Sequence, residues 1–203
     1  MKEPRSRGRP RTFDRDVILD AAVDEFWRHG YEGVSISDLT DALGCTAPTL
    51  YSLFGSKEGL FREALARYLA RGFGARADLL GGEGTFYSRL ETAMRATLAS
   101  LTSTDHPAGC LVLSGGLTPG STGNDAAAAL AAIRAAGLSA LKNHLSQARD
   151  VGELKPDTDV ESLARFYLAI LQGLSAQAID GAARDQLTPI LDAALAAWPG
   201  RRG

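Results

Sequence analysis

The chain has 203 residues, of which 45% are hydrophobic and only 7% aromatic, and its formal net charge is −2. Alanine dominates the second half, a balance that suits helices and disfavours a β-sandwich, whose strands draw on Val, Ile, Thr and aromatic residues. No run approaches the ~18 uninterrupted apolar residues of a membrane span, and the Arg-rich start has no apolar stretch behind it to form a secretory signal.

The charge is unevenly placed. Residues 1–12 carry Lys2, Arg5, Arg7, Arg9 and Arg11 against Glu3, a net of +4, so the remainder carries −6. A basic arm on an otherwise acidic protein points to a polyanion at one end only; by itself it is equally a tail that aids solubility. The two cysteines, Cys45 and Cys110, stand in no metal or redox spacing, which suits a reducing cytoplasm; no metal or cofactor is expected.

The first predicted helix runs from Asp14, a good N-cap, to His29, with Val17, Ile18, Ala21, Ala22, Val23 and Phe26 as its apolar stripe and Gly30 as its stop. Ser35 or Ser37 caps a short second helix ending at Leu43, with Ile36, Leu39 and Leu43 inward and Gly44 at the turn. Thr46 caps a third, with Pro48 in its first turn, where a missing N–H costs nothing. It ends near Phe54. Ser56 caps a fourth, predicted from Lys57 to about Leu79, with Glu58 favourable to its dipole. Two short helices joined by a four-residue turn and backed by a longer one are the helix-turn-helix plan.

Glycines 81, 82 and 84 mark a loop. A fifth helix is predicted from Phe86 to Leu101, and residues 105–109 (Asp-His-Pro-Ala-Gly) break it. A short helix from about Cys110 to Leu117 follows, then a loop over 118–124 and a long helix from Asp125 to about Val151, with Leu130, Ile133, Leu138, Leu141 and Leu145 along one side. The last two helices are predicted over Asp157–Gly181 and Arg184–Trp198. They are apolar over much of their circumference, through Leu163, Phe166, Ile170, Leu174 and Ala178 in one and Leu187, Ile190, Leu191, Leu195 and Trp198 in the other. A helix that is hydrophobic most of the way round is buried on most sides. That fits a partner subunit or the centre of a monomeric bundle.

Residues 34–60, VSISDLTDALGCTAPTLYSLFGSKEGL, carry the most specific signal. With Thr49-Leu50-Tyr51, Phe54 and Ser56-Lys57-Glu58 at matching spacings, they resemble the DNA-binding signature of the TetR family of bacterial regulators. On physical grounds Leu39, Leu43, Leu50, Leu53 and Phe54 can knit a mini-core. Thr46, Ala47, Pro48, Thr49, Tyr51 and Ser52 then lie near the exposed N-terminal half of the recognition helix. Small residues there admit the backbone to the major groove, where Ala or a Thr methyl can meet a thymine methyl. Thr49, Tyr51 and Lys57 resemble the family's phosphate-contacting positions, and Ser37 is a further candidate. Tyr51 as a core aromatic and Lys57 as an ordinary capping-turn lysine are the plainer alternatives. The helix has no Arg, Asn or Gln, so bidentate base reading is absent from it. Arg7, Arg9 and Arg11, spaced by Gly8 and Pro10, suit a narrow A·T-rich minor groove.

The resemblance implies an all-α fold: a basic arm over 1–12, a helix-turn-helix domain over 13–57 and a helical ligand-binding and dimerisation domain over 58–203. It implies a homodimer on a palindromic operator, a repressor by default, released by a small-molecule effector. The expected pocket is formed by Tyr68, Phe86, Met94, Leu98, Cys110, Leu113 and Tyr167, with ordinary core packing as the alternative for each. The final two helices would pair with their symmetry mates. Pro107-Ala108-Gly109-Cys110-Leu111 resembles a segment of a subgroup in which the cysteine senses electrophiles or oxidants. His106, four residues earlier, and the helix start would then lower the thiol pKa, whereas the bland reading is a buried small hydrophobe. Cys45 reads as a space-filler. Neither a thiol or metal enzyme around His106 and Cys110, which lacks a third ligand, nor a protein-binding helical adaptor accounts for the signature and the arm together.

Overall fold

In the computed structural model, residues 14–72, 77–117 and 125–200 are described. Among them the chain is all-helical, with nine α-helices and one 3-10 turn: α1 Arg15–His29, α2 Ile36–Leu43, α3 Ala47–Phe54, α4 Lys57–Ala70, the turn Ala77–Gly81, α5 Phe86–Leu101, α6 Leu111–Ser114, α7 Asp125–Asp150, α8 Val160–Ile179 and α9 Arg184–Ala196. No described helix is long and apolar enough to cross a membrane. The arm with Arg7, Arg9 and Arg11, and the loop expected over 118–124, lie outside the described residues.

The capping chemistry accounts for most of the boundaries. Asp14, Ser35, Thr46, Ser56, Thr85 and Asp159 each accept from a backbone N–H one turn in or less. Three expectations change. Helix α4 stops at Ala70, with Arg71 as its C-cap, because Gly72 turns into the left-handed region (φ 71) and outweighs the apolar spacing that extended it to Leu79. Helix α6 is one turn, ending where Gly115 returns to extended backbone, rather than reaching Leu117. Val17 is 63% exposed: Ile18, Ala22 and Phe26 with Leu19 and Val23 form the seam of α1, and Val17 sits one position outside it.

Two assemblies result. Helices α1 to α4 close around Phe26, Trp27, Leu39, Leu50, Leu60 and Phe61, with α1 lying along α4. In the second, α8 is central and packs on α5, α6, α7 and α9. Ser175, buried on α8, accepts from the Cys110 N–H (2.9 Å) and shares a hydrogen bond with the Ser114 hydroxyl (2.8 Å), which fastens α6 from one side. From the other side Arg134 of α7 donates to the Val112 and Gly115 carbonyls, both at 2.8 Å.

The α1–α4 seam is apolar inside and charged along its edge. Arg67 of α4 donates to Asp20 (2.6 Å) and Asp16 (2.9 Å), Arg71 reaches Asp20 (2.5 Å), and Arg15 pairs with Glu63. Burial works to raise the Asp20 carboxyl pKa, but the hydrogen bonds from Arg67 and Arg71 outweigh it and hold the group below its ordinary value. A depressed carboxyl stabilises the fold above the unfolded-state pKa, about 4, and that contribution is lost as pH falls through the lower folded value. Since these groups are partly open to water, the network contributes only modestly to stability. Asp20→Asn should therefore lower the thermal midpoint at pH 7 by a few degrees. In thermal scans the gap to wild type should close on acidification below about pH 4; a gap independent of pH would assign the loss to packing.

Candidate nucleic-acid interface

The turn between α2 and α3 is built from local chemistry. Ser35 and Asp38 form a reciprocal capping box, with the Ser35 N–H donating to the Asp38 carboxylate (2.8 Å) and the Asp38 N–H to the Ser35 hydroxyl (3.1 Å). Those bonds hold the Asp38 carboxyl below its ordinary pKa. Helix α2 ends at Gly44 in the left-handed region (φ 62, ψ 27), which a side chain adopts only at a cost. Buried Cys45 then plugs the turn, and burial pushes its thiol pKa up, as a space-filler requires.

Helix α3 buries Leu50 and Phe54 and turns its other side outward. Thr46, Pro48, Tyr51 and Ser52 are exposed; Ala47 and Thr49 are half-buried, and Ser37 is exposed at the start of α2. Tyr51, at 47% exposure, is not a core aromatic. The hydroxyls of Thr46 and Thr49 lie 3.0 Å apart, and the Thr49 N–H donates to Thr46, so capping leaves both methyl groups available. Ser37, Thr46, Ala47, Pro48, Thr49, Tyr51 and Lys57 are thus gathered onto α2, α3 and the first turn of α4.

Lys57 is held more firmly than an ordinary capping-turn lysine. Its ammonium stands 4.2 Å above the centre of the Tyr31 ring. Partial burial there lowers its pKa, and Glu32 and Asp38 act in the opposite sense. The following turn is tight: a Cβ at Gly59 would lie 2.1 Å from the Phe54 carbonyl oxygen, so glycine lets the end of α3 meet the start of α4. Tyr31 and Gly59 were not singled out in the sequence. The signal for Gly59 was its position inside the Ser-Lys-Glu-Gly run; for Tyr31, a lone aromatic after a glycine stop, there was none.

The expected effector residues are all buried. Phe86 packs with His144 and Trp198 at one end, whereas Tyr68 and Cys110 meet at the other, the Tyr68 hydroxyl donating to the Cys110 sulfur (3.1 Å). Met94, Leu98, Leu113 and Tyr167 are core side chains. Of the two readings of Cys110, the structure fits the buried small hydrophobe. Burial pushes the thiol up, more than the hydrogen bonds from Tyr68 and Leu113 draw it down. His106 instead stacks on Trp27 at 4.5 Å, with Nδ1 2.9 Å from the Pro107 carbonyl.

The expected dimer residues also divide. Leu174, Ala178, Leu187, Leu191, Leu195 and Trp198 are buried within the protomer, so they pack its own core rather than face a partner. The outward side of α8 and α9 carries Phe166 (38% exposed) and Ile190 (37%), with Leu163 and Ile170 half-buried.

Residues 18–64 match the family described as "Bacterial regulatory proteins, tetR family", and residues 87–194 match "Tetracyclin repressor-like, C-terminal domain". The chain is 42% identical over 197 residues to the HTH-type transcriptional repressor ComR of Escherichia coli (strain K12), covering 96% of this chain and 93% of ComR. It is 30% identical to the HTH-type transcriptional repressor BdcR of the same organism, covering 92% and 89% of the two chains. Among solved structures, a cysteine mutant of the TetR family transcriptional regulator CifR, complexed with 26bp double-strand operator DNA, superposes with a TM-score of 0.86. It is 43% identical to this chain, with 95% of this chain and all of that one covered. The chain belongs to the TetR family of bacterial regulatory proteins, with its helix-turn-helix in the matched N-terminal segment.

Proposed function

We propose that this protein is a ligand-responsive repressor that binds a palindromic operator as a homodimer and is released by a small molecule. The observation that carries the reading is the outward face of α3 beside the capped start of α4. Its polar and small side chains lie next to a lysine and helix-start N–H groups, the chemistry of a phosphate clamp. Its similarity to repressors and to an operator-bound regulator supports the same reading.

Residues 13–57 act as the DNA-binding head in this reading, with Thr49, Tyr51, Lys57 and Ser37 on phosphates and Thr46, Ala47 and Pro48 against base edges. Without Arg, Asn or Gln on α3, discrimination rests on thymine methyls, bridging water and DNA shape. Arg7, Arg9 and Arg11 add affinity from the minor groove. Residues 58–203 contribute to the effector site and join the protomers, through Leu163, Phe166, Ile170 and Ile190 rather than through the buried members of the expected set. Two heads related by a two-fold axis then meet half-sites about one DNA turn apart. Release by 100-fold needs an effector preference of about 2.7 kcal/mol for the released state.

Fluorescence anisotropy with DNA from upstream of the protein's own gene, across a salt series, tests the core claim. Tight binding with a steep salt slope is expected, and no binding even after selection from random sequence would sink it. Lys57→Gln should weaken binding across all sequences and flatten the salt slope by about one unit. Removing residues 1–11 should flatten it further, and an unchanged slope would take the arm off the DNA. A Phe166→Glu, Ile190→Glu double variant should sediment as a 21.4 kDa monomer and lose operator affinity at least tenfold. A dimer that survives both charges would move the interface elsewhere.

A further inference from the structure

The two assemblies meet around a cavity of about 430 Å³, within the range of roughly 300–1,000 Å³ common for small-molecule sites. Phe26, Trp27 and Tyr31 wall it from the end of α1 and the following turn, and Leu111, Leu130 and Ile179 wall it from α6, α7 and α8. None of the expected pocket residues except Cys110 lines it. The lining is chiefly apolar. Among its polar side chains are Ser114, whose hydroxyl already shares a hydrogen bond with Ser175, and a rim of Arg28, His29 and Glu32. Arg28 is drawn to Asp24 and Glu25 of its own helix, and His29 also lies against Glu25. Arg28 and His29 are thus turned to carboxylates of α1 and Glu32 acts on Lys57, so the rim offers no free positive charge to an anionic ligand.

One wall of this cavity is also part of the proposed DNA clamp. Tyr31 stacks on Phe26 at 6.1 Å, meets Phe61 at 5.1 Å and carries the Lys57 ammonium on its ring. We propose that the cavity is the effector site for a small uncharged molecule, aromatic or aliphatic with at most one hydroxyl-sized polar group, and that its occupation acts on DNA binding through Tyr31 and Lys57. The inference rests on the repressor reading above. A ligand ring seated against Phe26 and Trp27 competes with Tyr31 for the same apolar surface. When Tyr31 turns aside, Lys57 loses the ring that aims it, and the α1 end shifts against α6 and α7. The switch thus lies between the head and the body, and it requires no reaction at the cysteine.

The probe is p-nitrobenzyl alcohol, a neutral aromatic whose nitro group quenches indole fluorescence on contact. The chain has two tryptophans, Trp27 in the cavity wall and Trp198 packed on Phe86 and Tyr87. Titration of the full-length protein should give saturable quenching that persists in Trp198→Phe and disappears in Trp27→Phe. Saturating probe should weaken operator binding at least tenfold. Ile179→Phe, a change at a half-exposed position on the cavity wall, should cut probe affinity at least tenfold while leaving probe-free operator binding intact. Saturable quenching without any loss of operator affinity, or no saturable quenching while the operator is still bound, would overturn the effector site and leave the repressor reading standing. Failure of the probe-free protein to bind any operator would remove that reading, and this inference with it.

Discussion

The rest of the structure depends on the packing of α1 against α4. Phe26 meets Phe61 edge-on at 5.1 Å, and Trp27 meets Tyr68 in the same way at 4.8 Å; aromatic pairs in this geometry add about 0.5–1.5 kcal/mol each beyond the area they bury. The seam does two things at once. It fixes the scaffold on which α2 and α3 are mounted, since two eight-residue helices are too short to hold shape alone. It also runs on into Tyr68, whose hydroxyl reaches Cys110 at the start of α6. The helix that ends the DNA-facing assembly therefore also touches the C-terminal one.

Much of this was legible in the sequence because it is local. Ser35, Thr46 and Ser56 announce helix starts through bonds to N–H groups three residues on, and Gly44 announces the turn through its backbone freedom. The outward set of α3 followed from periodicity once those ends were known. What the sequence left open was which neighbour a side chain meets across the fold. Leu191 and Ile190 are chemically alike and adjacent, yet one is fully buried in the protomer and the other faces out. Only the placement of α9 against α5 and α8 separates them. The thiol of Cys110 shows the same limit. The sequence puts a histidine one turn away, but the chain carries His106 onto Trp27 and leaves the sulfur to Tyr68 and Leu113.

The polar groups inside the C-terminal assembly are few and shared. Ser175 serves both the Cys110 backbone and the Ser114 side chain, and Arg134 closes two carbonyls with a single guanidinium nitrogen. Burial lowers the Arg134 pKa, a sign of how far the charge is withdrawn from water to reach them. An unmade bond at such a site costs about 1–3 kcal/mol, so these contacts specify one arrangement of α6, α7 and α8 more sharply than the surrounding alanine-rich packing does.

Helix α6 has only four residues, far below the length at which a helix holds itself together in water. It is in effect a knot tied by its neighbours, and it can exist only while α7 and α8 keep their separation. Its backbone amides are therefore a natural gauge of that separation: their exchange with solvent reports the opening of the bundle, not the fraying of a helix.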